Sequence, residues 1–197
     1  MILYSLGIDP DTKNTGWGIV QQVNDLPPRL YAAGVISIPG QIKKKAITGA
    51  EAVVLMAKSL YLMELPMLDY CAIVVEGQTI YRRTARDKGV DPNAILRISQ
   101  VAGAALVGAI GATEGTTKVM LPEPREWKKQ VPKRIHQARV CRRLGLPFSP
   151  HGDKDGYVVP AIPIALAAHA RCKHLKPTHW KHAMDGVGLA LYGLDNL

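Results

Sequence analysis

The chain has 197 residues, which suits one domain with an elaboration, and 47% of them are hydrophobic, enough for a sizeable core. Its 25 Lys and Arg against 16 Asp and Glu give a formal charge of +9. That excess favours a polyanionic partner, although a basic soluble protein without one would have the same charge. Aromatic residues make up only 6% of the chain, which argues against a single-strand groove built from stacked rings.

The sequence gives no sign of a disulfide framework or a membrane segment. Its three cysteines are odd in number and widely spaced, as expected in a reducing compartment. The first residues lack the basic leader of a signal peptide. The longest run of small apolar residues, 101–112, is too short and too rich in Gly and Ala to cross a bilayer. We therefore expect a soluble protein with no membrane partner, in the cytoplasm or, if the source is viral, in that of the host cell.

The first half of the chain predicts four strands and a helix. Loose alternation in 2–8, the turn residues of DPDTKNTG and the returning run WGIVQQV predict a hairpin, and LYAAGVISI predicts a third strand. Residues 47–65 have helical apolar spacing and end before Pro66. The β-branched run 71–75 is typical of a strand covered on both faces.

Helices dominate the predicted second half. The polar and basic stretch 78–91 is interpreted as a surface loop, and Pro92 then begins a long helix whose Gly and Ala face permits close packing. Residues 118–122 predict the last strand, and 123–146 form a basic helical region.

The end of the chain combines an irregular stretch with a final helix. Residues 147–180 contain five prolines and predict only one short helix, near 163–172, whereas 181–193 predict the last helix. Three strands followed by alternating helices and strands predict an α/β fold with a mixed sheet flanked by helices.

Four polar residues lie in apolar runs where packing needs none. Asp9 ends the first strand, Glu76 follows the fourth, and His182 and Asp185 open the final helix on one face. Because an unpaired buried carboxylate is costly, we expect these residues to converge on a positive charge, most economically a pair of divalent metal ions. Asp9 could instead cap a turn, a role that suits Asp11 better.

The acidic hairpin at the N-terminus has a second interpretation. Actin-like ATPases and sugar kinases also begin with an acid followed by a hairpin of Gly and Thr, which there binds phosphates. Such a phosphotransferase would need a second phosphate hairpin and an adenosine pocket, and the sequence has neither. A DNA-binding protein without catalytic activity also remains open.

The loop after Glu76 favours DNA over ATP. It contains one aromatic residue and several cations, namely Tyr81, Arg82, Arg83, Arg86 and Lys88. A basic loop with one aromatic residue suits contact with phosphates and wedging between bases. A solvated surface loop could have the same composition.

A group of histidines near the end of the chain has spacings that loosely match zinc ligands. Its members are His169, Cys172, His174, His179 and His182. Paired Cys-x-x-Cys and His-x-x-x-His motifs are missing from it. In their Lys- and Arg-rich context we interpret these histidines as lying near DNA, with a structural zinc as the alternative.

Four motifs now stand in order along most of the chain: GIDPDTKNTGWG, VVEGQ, SQVAG and HAMDGVGLAL. Together they resemble the RuvC family of Holliday-junction resolvases, within the RNase H-like superfamily. The resemblance implies a single RNase H-like domain over 1–197, with an insertion at about 147–180. It also shows departures, because Asp11 stands where the family has Gly and the Gly-rich turn expected around 129–132 is missing.

The resemblance implies which residues act. The catalytic and metal-binding set maps onto Asp9, Glu76, His182 and Asp185, and it would hold two Mg²⁺ ions, with Mn²⁺ as a substitute. The family's basic residues before the final helix map onto Lys128 and Lys133. The segment after Glu76 is longer than in the family and does not align with it, so the DNA-binding prediction for Tyr81, Arg82, Arg83 and Arg86 rests on the composition of the loop, with Tyr81 as the candidate wedge.

The resemblance also implies what the protein does and with what partner. It implies a crossover junction endodeoxyribonuclease that resolves four-way junctions by paired symmetric nicks. Two symmetric cuts require a homodimer, for which the long helix 93–112 is a candidate interface, with packing on the sheet alone as the alternative role of that helix. A nuclease for flaps and replication forks, or a non-catalytic junction-binding protein, are the alternatives.

Overall fold

The computed structural model describes residues 1–37, 49–61, 68–77, 92–111, 113, 117–148 and 179–197. These residues form five strands and five helices, in the order β1 (Ile2–Asp9), β2 (Asn14–Val23), β3 (Arg29–Ser37), α1 (Gly49–Tyr61), β4 (Tyr70–Val75), α2 (Pro92–Ile110), β5 (Lys118–Met120), α3 (Pro124–Trp127), α4 (Lys133–Arg143) and α5 (Trp180–Asp195).

The strands form one mixed sheet in the order β3-β2-β1-β4-β5. β1 pairs antiparallel with β2 and parallel with β4, while β3 and β5 lie at the edges. The backbone N–H of Glu76 continues the β1–β4 ladder by donating to the carbonyl of Ile8 at 3.0 Å. Asp9 and Glu76 therefore lie side by side, where two parallel strands end at the same edge of the sheet.

Helices cover both faces of the sheet. On one face, α1 and α2 bury Met56 and Val101 against apolar side chains of the strands that include Leu6 and Ile8. On the other face, α4 and α5 bury Val140 and Met184. Both faces of the central strands are thus covered, as the unbroken apolar run of β4 predicts.

Strand alternation determines which face carries the acids. Ser5 and Gly7 of β1 face α5, because a Cβ at Gly7 would overlap the backbone of that helix and Ser5 Oγ lies beside Gly193. Since side chains alternate along a strand, Asp9 points to the same face as Ser5 and Gly7. Glu76 follows Ala72 and Val74 in the same way, and those two residues pack with Leu189 of α5. Both carboxylates consequently point toward α5.

Glycine lets α5 lie against the sheet backbone to backbone. A Cβ on Gly186 would lie 2.6 Å from the Cα of Trp17 in β2, and a Cβ on Gly16 would overlap the carbonyl of His182. Gly16 is also the residue that pairs with Asp9 across β1 and β2. This contact places the first turns of α5 directly beside the end of β1.

Within the described residues, the predicted strands and helices are confirmed in order and type, and so is the mixed sheet. The basic region 123–146 consists of two helices joined by a turn at Lys129, which adopts a positive φ of 57°. Glycine is favoured at such a φ, so Lys129 adopts at this turn a conformation that a glycine would adopt more easily. The predicted loop 78–91, the short helix near 163–172 and most of the predicted insertion at 147–180 lie outside the described residues.

Helix α2 differs from the others in its outer face. By length and composition it is the one helix in the described part of the chain that could cross a membrane, with 22% of it buried. It is longer than the predicted run at 101–112, because it begins at Pro92. Its inner face, which includes Val101 and Ala105, lines the core, whereas Leu96, Val107 and Ile110 are exposed.

Candidate metal-binding and catalytic site

Three carboxylates from three elements converge beside the end of β1. Asp9 ends β1, Glu76 follows β4, and Asp185 lies in the second turn of α5. The carboxyl group of Asp9 is close enough to Glu76 to share a hydrogen bond, and the charges of Glu76 and Asp185 both act on it. The strand ends and the helix therefore bring together the three acids that the sequence predicted.

The crowding raises the pKa values of two of these acids. Burial raises the pKa of Asp9 well above its ordinary value, and repulsion from Asp185 and Glu76 raises it further. Burial also raises the pKa of Asp185, although the ammonium of Lys133 opposes the shift. Acids whose negative charges are disfavoured in this way are poised to accept a cation.

Two hydrogen-bond donors hold Glu76, which is 6% exposed. The indole N–H of Trp127 donates to Oε1 at 3.2 Å, and the ammonium of Lys128 contacts the same oxygen at 3.3 Å. The ammonium of Lys128 also lies 4.8 Å from the centre of the Trp127 ring. Because Trp127 is buried at the end of α3, it fixes the direction in which Glu76 points.

Asp185 is held in a similar way from α4. The side-chain amide of Gln137 donates to Oδ1 at 3.3 Å and also to the backbone carbonyl of Lys181 at 3.0 Å. Lys133 pairs with the other oxygen, Oδ2. Asp185 is 1% exposed, so its carboxylate cannot swing out to solvent. A cation that binds it must replace one of its present partners.

His182 lies one turn before Asp185 and is neutral at pH 7. Its pKa is lowered to about 4, first by burial and then by the nearby ammonium of Lys133. A neutral imidazole has a nitrogen lone pair that can bind a metal or accept a proton from water. Asp11, two residues beyond Asp9, accepts the backbone N–H of Lys13 at 2.7 Å, which confirms it as the turn residue.

The residue types fit a divalent metal. Carboxylates are the ligands that Mg²⁺ prefers, and an imidazole suits Mn²⁺ as well. In the part of the chain that the structure describes, no three acidic, His or Cys side chains already surround a common point as metal ligands would. Lysine ammonium groups instead contact the oxygens of Glu76 and Asp185. A metal entering here would therefore have to replace those lysines.

The predicted DNA-binding residues fall into two groups. Lys128 and Lys133 lie in the site itself, each against one carboxylate, rather than on a separate surface. Tyr81, Arg82, Arg83 and Arg86 lie outside the described residues, as does the loop that carries them. Of the histidine group, His179 caps α5 and His182 is in the site. His169, Cys172 and His174 lie outside the described residues, so a structural zinc remains an open alternative.

Sequence reasoning missed the two residues that hold the acids, Trp127 and Gln137. A buried Trp needs an acceptor for its indole N–H, which is a signal that the sequence does offer. Gln137 follows Lys133 by four residues, so the two share one face of α4 and reach the same carboxylate. Helical spacing from a predicted site residue would have found Gln137.

Comparisons with known proteins support the fold. No family model and no curated protein matches the sequence. Among solved structures, the chain is similar to Thermus thermophilus RuvC in complex with a Holliday junction substrate, with 21% identity, a TM-score of 0.58, and coverage of 97% of this chain and 91% of that one. It is similar also to another structure of Thermus thermophilus RuvC, with 18% identity, a TM-score of 0.53 and the same coverage of 97% and 91%.

A third structure is more distant. The yeast mitochondrial Holliday junction resolvase matches with 11% identity, a TM-score of 0.45, and coverage of 96% of this chain and 79% of that one. The two RuvC structures, both with a TM-score above 0.5, confirm in the fold the resemblance that the sequence motifs suggested. This chain has their mixed-sheet, RNase H-like α/β fold.

Proposed function

We propose that this protein is a Mg²⁺-dependent, structure-selective DNA endonuclease that resolves Holliday junctions. The observation that carries the proposal is the convergence of Asp9, Glu76 and Asp185 from two strand ends and a helix. Such a set of acids on rigid elements is what metal-assisted phosphodiester hydrolysis requires. The fold supports the choice of substrate, since one of the similar RuvC structures holds a Holliday junction.

Each side chain has a role that follows from its position. Asp9, Glu76 and Asp185 would together hold the metal ions, since the charges of Glu76 and Asp185 both act on Asp9. His182 would bind a metal or accept a proton from the attacking water. Bound metal ions supply a more acidic water and stabilise the charge on the leaving oxygen. Trp127 and Gln137 keep Glu76 and Asp185 in place.

The surroundings of the site suit a polyanion. Lys129 and Arg139 line a shallow cleft beside Trp127. Arg139 lies on α4, where Arg134 is exposed as well. Phosphates bound along this surface would bring a strand of DNA next to the acids. The net positive charge of the chain and the predicted basic loop at 78–91 would also attract DNA.

Cleavage of labelled DNA tests this function. The protein is incubated with a four-way junction, a flap and a linear duplex, in Mg²⁺ and in EDTA. We expect paired symmetric nicks in the junction only, and none in EDTA. Cuts in the flap as well would indicate a broader branched-DNA nuclease. Tight junction binding with no cleavage in Mg²⁺ or Mn²⁺ would contradict the proposal and favour a non-catalytic junction-binding protein.

We further propose a homodimer that joins through the outer face of α2, because two symmetric cuts need two sites. The exposed fractions of Leu96, Val107 and Ile110 are 58%, 68% and 46%, and all three lie on one face of the helix. Val107→Glu should convert the dimer to a monomer in light scattering and should replace paired nicks by single ones. Each copy would then bury an unpaired carboxylate at the two-fold interface, and because this cost is incurred twice, the effect should be large.

A matched control for this variant is Leu26→Glu. Leu26 is 52% exposed and lies in the turn between β2 and β3, away from α2. The same change from an apolar to an acidic side chain there should leave the mass and the nicking pattern unchanged. If Val107→Glu kept the mass of the dimer, the interface would lie elsewhere.

A further inference from the structure

Two lysines occupy the candidate metal site. Lys128 contacts Glu76 at 3.3 Å, and Lys133 contacts Asp185. The side chains of the acids are 8% and 2% exposed, whereas those of Lys128 and Lys133 are 25% and 34% exposed. Each pair therefore joins a buried acid to a lysine whose side chain is partly exposed to solvent.

The acids cannot follow the lysines outward, because other donors hold them. Glu76 is bound by the indole of Trp127 and Asp185 by the amide of Gln137, and both donors belong to buried side chains. Lys128 and Lys133, in contrast, have flexible stems and lie at the rim of the site. When a stronger cation enters, the lysines are the groups that move.

We propose that Lys128 and Lys133 are internal counter-ions that the metal displaces, and that the displaced ammonium groups then bind DNA phosphates. The inference rests on the proposed function and adds to it a coupling between metal and DNA. Without metal, the lysines neutralise the acids and are withheld from DNA. With metal, two positive charges become available at the rim, so that metal and DNA each strengthen the binding of the other.

The coupling explains why the lysines and the acids are arranged in pairs. Contact with DNA alone does not account for the ion pairs of these lysines with buried carboxylates. A lysine that only stabilised the fold would leave the metal no site. Exchange satisfies both states, because the acids are paired with a cation before and after the metal binds.

Metal affinity measured without DNA gives the sharpest test. Mn²⁺ is titrated into wild type, Lys133→Met and Lys128→Met and is followed by electron paramagnetic resonance. Removing an internal competitor should tighten Mn²⁺ binding by about fivefold or more in each variant, the lower end of a typical coupling energy. A lysine that acts only on DNA would leave Mn²⁺ affinity unchanged, and that result would overturn the proposal.

Lys129→Gly is the matched control. It removes the same charge one residue from Lys128, and glycine accepts the positive φ of this turn. Lys129 is exposed, so screening limits its effect on the metal to about twofold or less. A change in Mn²⁺ affinity as large as that of Lys128→Met would mean that general electrostatics, and not displacement, is responsible.

Junction binding by the wild-type protein gives a second measurement that does not depend on a variant folding. Affinity is measured against salt concentration in EDTA and in Ca²⁺, with a gel to show that the DNA stays intact. Release of the lysines should steepen the salt dependence in Ca²⁺ by about 0.9 for each new phosphate contact. Equal slopes would overturn the proposal.

The two proposals can fail separately. Cleavage in Mg²⁺ would support the nuclease even if the salt dependence of junction binding were equal in EDTA and in Ca²⁺ and Mn²⁺ affinity were unchanged in the lysine variants. Those two results would contradict only the displacement of the lysines. No divalent metal binding and no cleavage would remove the proposed function itself.

Discussion

Asp9→Asn should abolish cleavage while making the metal-free protein more stable. The variant loses one of the three acids proposed to hold the metal ions, the one on which the charges of both others act, so cleavage should fall by about 10³-fold or more. A metal ion supplies several kcal/mol of charge stabilisation, and each 1.4 kcal/mol or so is tenfold in rate. Stability should rise because the substitution removes the charge that Glu76 and Asp185 repel. Nick formation and the melting temperature in EDTA are the two measurements.

The gain in stability should depend on pH with a definite sign. The folded-state pKa of Asp9 is raised, so the folded protein binds a proton at Asp9 more tightly than the unfolded chain does. The ionised group therefore destabilises the fold as the pH rises above about 4, the ordinary pKa of Asp, and has no such effect below it. The difference in melting temperature between wild type and Asp9→Asn should widen from acidic to neutral pH.

Asp11→Asn serves as the control for this prediction. Asp11 is an acid only two residues away, but it accepts a backbone N–H in the turn, and an Asn oxygen can accept the same bond. Cleavage should survive in Asp11→Asn. A fully active Asp9→Asn, or an Asp9→Asn less stable than wild type in EDTA at neutral pH, would remove Asp9 from the acidic centre.

Gly186→Ala should lower the stability of the protein and also displace Asp185 in the acidic centre. The new methyl group would lie 2.6 Å from the Cα of Trp17, and because that contact is with backbone, α5 must move away from β2. Such overpacking costs about 3 kcal/mol, which lowers the melting temperature of a protein of this size by roughly 6 to 12 °C. Asp185 is the preceding residue, so its carboxylate should shift from Asp9 and cleavage should fall even where the protein remains folded.

Gly103→Ala is the matched change in a helix. A Cβ at Gly103 meets nothing within 4 Å in the protomer, and alanine in a helix interior is favoured over glycine by about 0.5 to 1 kcal/mol. Gly103 lies on the outer face of α2 proposed as the dimer interface, so both glycine variants are compared in the monomeric Val107→Glu background. There the melting temperature of Gly103→Ala should rise slightly. If Gly186→Ala were as stable as Gly103→Ala, the close contact between α5 and β2 would not be what positions Asp185.

The sequence predicted the elements well because local patterns decide them. The apolar runs of β1 and β4 and the polar residue that ends each run were sufficient to predict Asp9 and Glu76 at one edge of the sheet. The contacts of Lys128 and Trp127 with Glu76 could not be predicted in this way. They join residues more than 50 positions apart, so they depend on how α3 packs on the sheet.

For the two lysines, the sequence indicated which residues matter but not which side chains they contact. Lys128 and Lys133 were predicted as DNA contacts from the resemblance to RuvC, and that role remains a prediction. Their pairing with the acids follows from burial and distance, which no motif encodes. One local pattern did point to these contacts. Lys133 and Gln137 are four residues apart on α4, so both reach Asp185 from one face of that helix.

The packing of α5 on β1 has a consequence for the order in which the acidic centre can form. Two of its acids, Asp9 and Glu76, follow neighbouring strands, whereas Asp185 lies on α5, far along the chain. A nascent chain that has not yet reached α5 therefore has Asp9 and Glu76 but lacks Asp185 and the glycine contact that holds it. Because this contact is so distant in sequence, we expect the acidic centre to assemble late in folding, after the strands have paired.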